Sequence, residues 1–248
     1  MSGTKYSKAP IAEAVIDIQA LYAEQLSSLS LSQLSESVSS TLPISNKIRA
    51  LELGLSNAGE DSLTSHVDQR NIGLRLTDNG NSRVLQIRDV GFTYSHLPPY
   101  TAWENFRGEA EPLWHNFVKF CKPVKVHRCA VRYINKIVMP IPRFDAEDYF
   151  NIYPTIPKQI SQDISGLFMQ LVMPQTDLDE TSTAVINVTF DTSSGPSTPA
   201  IVLDFDIYKS VELDPNSPEI WEVLEIFRAR KNELFEACIT DKTREIIR

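Results

Sequence analysis

Asp204 and Asp206 flank Phe205 in a run that alternates polar and apolar residues. On a strand, alternate side chains share a face, so both carboxylates project to one side. With Glu13 or Asp17 beside them, such a pair has the donors to hold Mg²⁺ for phosphoryl chemistry, making a divalent-metal phosphohydrolase one reading. Cations of matching spacing occur in residues 126–139, VHRCAVRYINKIVM. There Arg128, Arg132 and Lys136 fall on one strand face, with Val126, Ala130 and Ile134 between them. Buried unpaired cations are very costly, so these three must be solvated, paired or bound to a ligand. They suit neutralisation of the aspartates, with no metal held. They also suit a protein partner or, as an alternative with Arg75 and Arg88 that the acidic net charge weighs against, a nucleic acid or nucleotide.

Other constellations carry less. Cys121, His127 and Cys129 lie close together, but zinc needs three or four ligands at characteristic spacing and no fourth follows. They read as core residues. His66, His96 and His115 stand alone, with nothing near them to mark a nucleophile. The nine glycines form no phosphate-binding loop or dinucleotide fingerprint, and the chain lacks a G-x-S-x-G elbow and a CxxC pair. Catalysis therefore has no positive support, and no cofactor is expected.

The elements that position these residues read in order. Residues 1–8 are a loose terminus. Residues 11–21, IAEAVIDIQAL, form a strand with Ala12, Ala14, Ile16, Ile18 and Ala20 on its apolar face and Glu13, Asp17 and Gln19 on the other. Aligned with residues 128–133, it places Glu13 over Arg128 and Asp17 over Arg132. Antiparallel pairing about a local two-fold would set Glu13 against Arg132 and Asp17 against Arg128. Leu31, Leu34, Val38 and Leu42 mark a short helix. Strands follow at 47–55, at 72–76 and from Val84 through Tyr94, with a turn at Asp78-Asn79-Gly80-Asn81. Thr101 and Glu104 form a capping box for a helix whose stripe of Trp103, Phe106, Leu113, Trp114, Phe117 and Phe120 reads as core.

The second half repeats the pattern. After strand 126–139 come a helical turn at 145–150, strands at 167–172, 184–190 and 201–208, and a turn at 194–196. A helix then opens at Ser217-Pro218 and carries Ile220, Leu224, Phe227, Leu234, Phe235 and Cys238. A charged tail, 241–248, ends the chain. The expected fold is α+β: two tandem βαβββα units, 1–123 and 124–248, in one pseudo-symmetric domain. Their strands make a curved antiparallel sheet, with helices on its convex face and the concave face open. The open face would carry Glu13, Asp17, Arg128, Arg132, Lys136, Asn187, Thr189, Val202, Asp204, Asp206 and Tyr208. Loops 56–66, 151–164 and 174–183 are long enough to bind.

The chain has 248 residues, 42% hydrophobic and 23% charged, with net charge -8. That composition builds an ordinary globular core and argues against a general nucleic-acid coat protein. No basic-then-apolar leader and no membrane-length apolar run is present, and the three cysteines read as reduced core thiols, so a cytosolic protein is expected.

Short motifs carry a resemblance. Lys8-Ala9-Pro10-Ile11 with Glu13-Ala14, Pro98-Pro99-Tyr100 with Trp103, Arg132-Tyr133-Ile134-Asn135, Leu203-Asp204 with Asp206, and Lys231-Asn232 with Phe235-Glu236 and Ile239-Thr240 occur in this order. The chain resembles, over nearly its whole length, a sporadically distributed bacterial family of similar size with no assigned function and no accepted catalytic residues. Patchy distribution is typical of defence systems and toxin–antitoxin pairs. The resemblance thus favours a partner-binding role and carries over no residues. With the reading of the sheet face, the expectation is a non-enzymatic binding protein with a protein partner, acting through the open face or its rim loops, with Arg128, Arg132, Asp204 and Asp206 central.

Overall fold

The computed structural model describes residues 6–57, 63–157, 159–160, 164–191, 195 and 198–248, the side chains of 50–57 and 63–70 excepted. Among the described residues nine strands form one antiparallel, curved, open sheet: β1 (Ile11–Tyr22), β2 (Ile44–Asn57), β3 (Leu63–Thr77), β4 (Arg83–Arg88), β5 (Gly91–His96), β6 (Pro123–Val138), β7 (Phe168–Pro174), β8 (Thr183–Asp191) and β9 (Ala200–Leu213). The spatial order is β2-β3-β4-β5-β1-β6-β9-β8-β7. The two opening strands thus lie side by side at the centre, and each half of the chain fans outward from its own.

The helices are α1 (Ser28–Ser37), α2 (Trp103–Cys121), α3 (Ala146–Tyr149), α4 (Glu219–Cys238) and α5 (Asp241–Ile247). They lie on one face of the sheet, as the period-two patterning requires. Ile16, Ile18, Cys129, Val131, Leu203, Phe205 and Ile207 point into the layer that α2 and α4 cover, and all are buried. The stripe of α2 is core as expected, and Trp114 donates its indole N–H to the Pro215 carbonyl at 2.9 Å. The N-terminal turns of the two long helices meet in space. Trp103 donates to Glu225, and Arg107 lies over the Trp221 ring at 5.9 Å.

Several local expectations are corrected. Residues 84–94 are not one strand. Asp89-Val90 turns the chain between β4 and β5, and Gly91 takes φ +140°, which L side chains rarely adopt. A Cβ there would sit 2.3 Å from the Ile18 carbonyl oxygen. The turn at Asp78 forms as expected, its carboxylate accepting from the Ser82 and Arg83 backbone N–H groups at 2.7 and 3.0 Å.

The β1–β6 pairing is antiparallel, but its register differs by two residues from the expected one. Val15 faces Arg132 and Asp17 faces Ala130. This alignment keeps Ile16 against Val131 and Ile18 against Cys129, so the apolar faces coincide and long guanidinium side chains reach diagonally. Val126 does not share the Arg128 face. A bulge beside His127 turns it into the core, where it is fully buried.

The capping box at Thr101 does not form. Ala102 is the N-cap, and the Thr101 hydroxyl instead accepts from the Asn105 amide at 3.1 Å. α4 starts one residue later than expected, with Pro218 as its N-cap and no side-chain cap bond, although the Ser217 hydroxyl accepts the Glu219 N–H at 3.3 Å. The charged tail is the amphipathic helix α5, with Thr243 and Ile247 buried. Residues 6–8 are tied down too: the Lys8 N–H bonds the Ile247 carbonyl at 3.1 Å, and the Tyr6 hydroxyl bonds Glu236 at 2.7 Å. Of the polar stretch 56–66, residues 56–57 and 63–66 are strand, since β2 and β3 pair to Asn57 and Leu63. Residues 1–5 and 58–62, with Ser194 and Pro196 of the expected turn, fall outside the described residues, as does the His66 side chain.

Candidate functional site

Alternation along β4, β5, β1, β6, β9 and β8 brings the charged residues to the helix-free face. Arg128 bridges two strands, reaching Asp17 at 2.8 Å and Asp206 at 3.3 Å, with its guanidinium 4.4 Å from the Tyr208 ring centre. Asp17 also accepts from the Thr93 hydroxyl at 2.7 Å and lies 3.8 Å from Arg88. Arg132 grips both oxygens of Asp204, at 2.8 and 2.7 Å. Asn187 adds a third bond to Asp204 at 3.0 Å and accepts from Gln170 at 2.8 Å. Lys136 pairs with Asp191 at 2.7 Å. Glu13 faces Ile134, and its charge acts on Arg132 through space. Arg75 lies outside this cluster and bonds Asn81 at 3.3 Å.

The four cations Arg88, Arg128, Arg132 and Lys136 thus meet the four acids Asp17, Asp206, Asp204 and Asp191. Burial is the largest influence on the Asp206 carboxyl and pushes it up, against the pull of Arg128 and Arg132. The fork from Asp204 raises the Arg132 guanidinium. A phosphate or a metal ion arriving here would have to displace bonds already made. Among the described residues no group of three or more His, Cys, Asp or Glu is placed to hold a metal ion. The half-exposed member is Arg132, whose side chain keeps 46% of its accessible surface while Asp204 keeps 9%. Of the proposed binding loops, 174–183 is pinned. Asp177 and Gln175 bond Arg230 on α4, and Asp179 meets Lys209 on β9 at 3.4 Å.

Two clusters escaped sequence reasoning. His96, read as standing alone, is 4% exposed and lies 2.9 Å from Glu109, which also takes the Tyr94 hydroxyl at 2.8 Å and a two-pronged grip from Arg83. Burial pushes the His96 imidazole down, and the Arg83 guanidinium is the main cause that brings the Glu109 carboxyl down to about 2. Nothing in the sequence links α2 to β5 at that point.

The second cluster lies on the helix side. A cavity of about 580 Å³ opens where α4, the segment 98–104, β6 and the N-terminal residues 6–11 meet. Four of the five stretches quoted for the resemblance reach it, through Lys8, Pro99, Tyr133 and Lys231 among others. Lys231 is 8% exposed, and its ammonium sits 3.9 Å from the Tyr133 ring centre. Among the described residues it makes no hydrogen bond and no ion pair. A ring contact contributes about 0.5–2 kcal/mol, less than the several kcal/mol that burying an ion costs. Burial, reinforced by Arg228, accordingly pushes the amine down to about 7. A signal was legible here: Lys231 interrupts the apolar stripe of α4 between Phe227 and Phe235.

Cys121, Cys129 and Cys238 are buried thiols, as read from the sequence, and burial pushes all three up. No described helix is long and apolar enough to cross a membrane. Comparison of the chain with family models, with curated proteins and with solved structures returned no match in any of the three.

Proposed function

We propose that this is a non-enzymatic binding protein that holds an extended segment of a protein partner along β7 and across the adjoining open face. One observation carries the reading. β7 ends the sheet order, so among the described residues one side of its backbone has no neighbouring strand, and its seven residues, FMQLVMP, contain no charge. Phe168 is 71% exposed and Val172 59%. Soluble proteins normally blunt such an edge with lysine, with a buried charge or with a covering loop, because it pairs with other chains. An added strand from a partner would complete the ladder and bury both side chains.

The register places Phe168, Gln170 and Val172 on the same face as Thr189, Asn187 and Val185. Gln170, Asn187, Asp204 and Arg132 then form a line of hydrogen bonds from the edge to the half-exposed guanidinium. The partner segment favoured is apolar at alternate positions, with a carboxylate or carbonyl for Arg132. A place in a defence or toxin–antitoxin module would make that partner a neighbouring gene's product.

The test is native mass spectrometry of the protein co-expressed with its neighbouring genes. A stoichiometric protein partner is expected, and the double variant Phe168→Lys/Val172→Lys should lose it while keeping its circular dichroism spectrum and melting temperature. Retention of the partner by that variant, or recovery of nucleic acid alone, would overturn the reading.

A further inference from the structure

The cavity beside α4 has the attributes of a small-molecule site, and it is distinct from the open face. Its volume of about 580 Å³ falls within the ~300–1,000 Å³ typical of ligand pockets. Its walls are Tyr100, Trp103, Phe235 and the Pro98-Pro99 pair. The N-terminal segment closes one side and is itself held in place, through Tyr6 on Glu236 and through the Pro10 carbonyl, which accepts from the Lys136 N–H at 2.7 Å.

The charges around it do not balance as they do on the sheet face. Lys231, more than nine-tenths buried, has among the described residues only the Tyr133 ring against its ammonium. Arg228, the next cation, approaches Glu104 and Glu225 no closer than 3.6 and 3.9 Å, beyond hydrogen-bond length. Glu236, the acid of α4 that lines the cavity, is already engaged by Tyr6 and Arg244, at 2.7 and 3.0 Å. A ring contact returns only part of the hydration an ammonium surrenders on burial, so the fold carries this lysine at a cost. An anionic group delivered into the cavity would complete it.

We propose that the cavity binds a small organic anion, its carboxylate or phosphate on Lys231 with Arg228 behind, and its flat or apolar body against Tyr100, Trp103 and Phe235. The anionic group accounts for Lys231, while Arg228 keeps its longer pairs to Glu104 and Glu225. The apolar body accounts for walls and volume that an inorganic ion would leave unfilled. Enclosure by residues 6–11 favours a molecule of metabolite size over a polymer.

The test uses benzoate and phenyl phosphate as probes, with benzyl alcohol as the uncharged control and inorganic phosphate as the control without a body. Binding is followed by the Trp103 indole N–H resonance and by melting temperature. At least one of the two aromatic anions should shift both, more strongly than either control. Lys231→Met should weaken that binding at least about tenfold. With no probe present, the variant should also melt higher than the wild type, by at least about 2–4 °C, because a buried unmatched cation is gone. A lower melting temperature would assign Lys231 a purely structural role. Equal binding by the variant, equal binding of benzyl alcohol, binding of inorganic phosphate alone, or no response to either aromatic anion would each overturn the proposal.

Discussion

Arg128 and Lys231 lie on opposite sides of β6 and are treated in opposite ways. Arg128 is surrounded by partners the chain itself supplies: Asp17 from β1, Asp206 from β9 and the Tyr208 ring. Among the described residues Lys231 has one ring and no acid in contact. The first arrangement fixes strand register, since a slip by one residue would carry the acids to the other face. The second contributes nothing to register and opposes folding. A cation matched from within belongs to the scaffold. A cation left unmatched in a cavity marks where the scaffold is incomplete without something added.

That contrast can be broken in order of expected effect. Arg128→Ala should lower unfolding stability by about 2–3 kcal/mol, because two partly buried carboxylates lose their cation, as read by urea denaturation. A change under about 0.5 kcal/mol would place the network with ordinary surface salt bridges. Lys231→Met should move stability the other way, by about 1–3 kcal/mol.

The pH dependence sharpens the second result. The Lys231 amine is held near 7 in the fold and returns to its ordinary 10.5 on unfolding. The stability tied to it is therefore complete above 10.5 and lost as pH falls through about 7. The advantage of Lys231→Met should be widest below pH 7 and shrink steadily as pH rises. Arg228 and Glu236 on α4, Tyr133 on β6, Tyr100 and Glu104 in the 98–104 segment, and Tyr6 and Lys8 at the N-terminus face the same site. All are common to both proteins, so they cancel in the difference. A gap constant with pH would show that the amine is not buried as a cation. The smallest effect is expected from Asp206→Asn. Burial already opposes the charge on Asp206, so its loss should change stability by about 0.5 kcal/mol or less.

Much of the scaffold was legible because alternation is a local property. Ile16, Ile18, Cys129 and Val131 declared the covered face, and Asp17, Arg128, Asp204 and Asp206 the open one, without knowledge of any partner strand. What escaped depended on backbone geometry or on long-range meetings. The Gly91 turn breaks a run whose side chains read as continuous strand. The bulge at His127 reverses Val126 with no change in composition. The two-residue register offset follows from which apolar residues pack best across β1 and β6, which alternation alone leaves open. Arg132 found Asp204 rather than Glu13 because β9 lies on its other side, a fact of topology. The cavity was illegible as a cavity, since its walls come from four separate stretches. Only Lys231, out of place among Phe227 and Phe235, announced that one side of α4 was unlike an ordinary core.

The central position of β1 and β6 has a kinetic consequence. Strands β2 to β5 follow one another as neighbours in both sequence and space, and so do β7 to β9. Each series can zip through nearby contacts, which form quickly because little chain must be ordered first. Ile16 and Val131, by contrast, must find each other across the whole first half of the chain. The seam between them should close late in folding, and until it does each half exposes one long strand with an unpaired edge. Arg128, reaching across that seam to Asp17, is then a latch whose loss should show mainly as faster opening of the finished sheet.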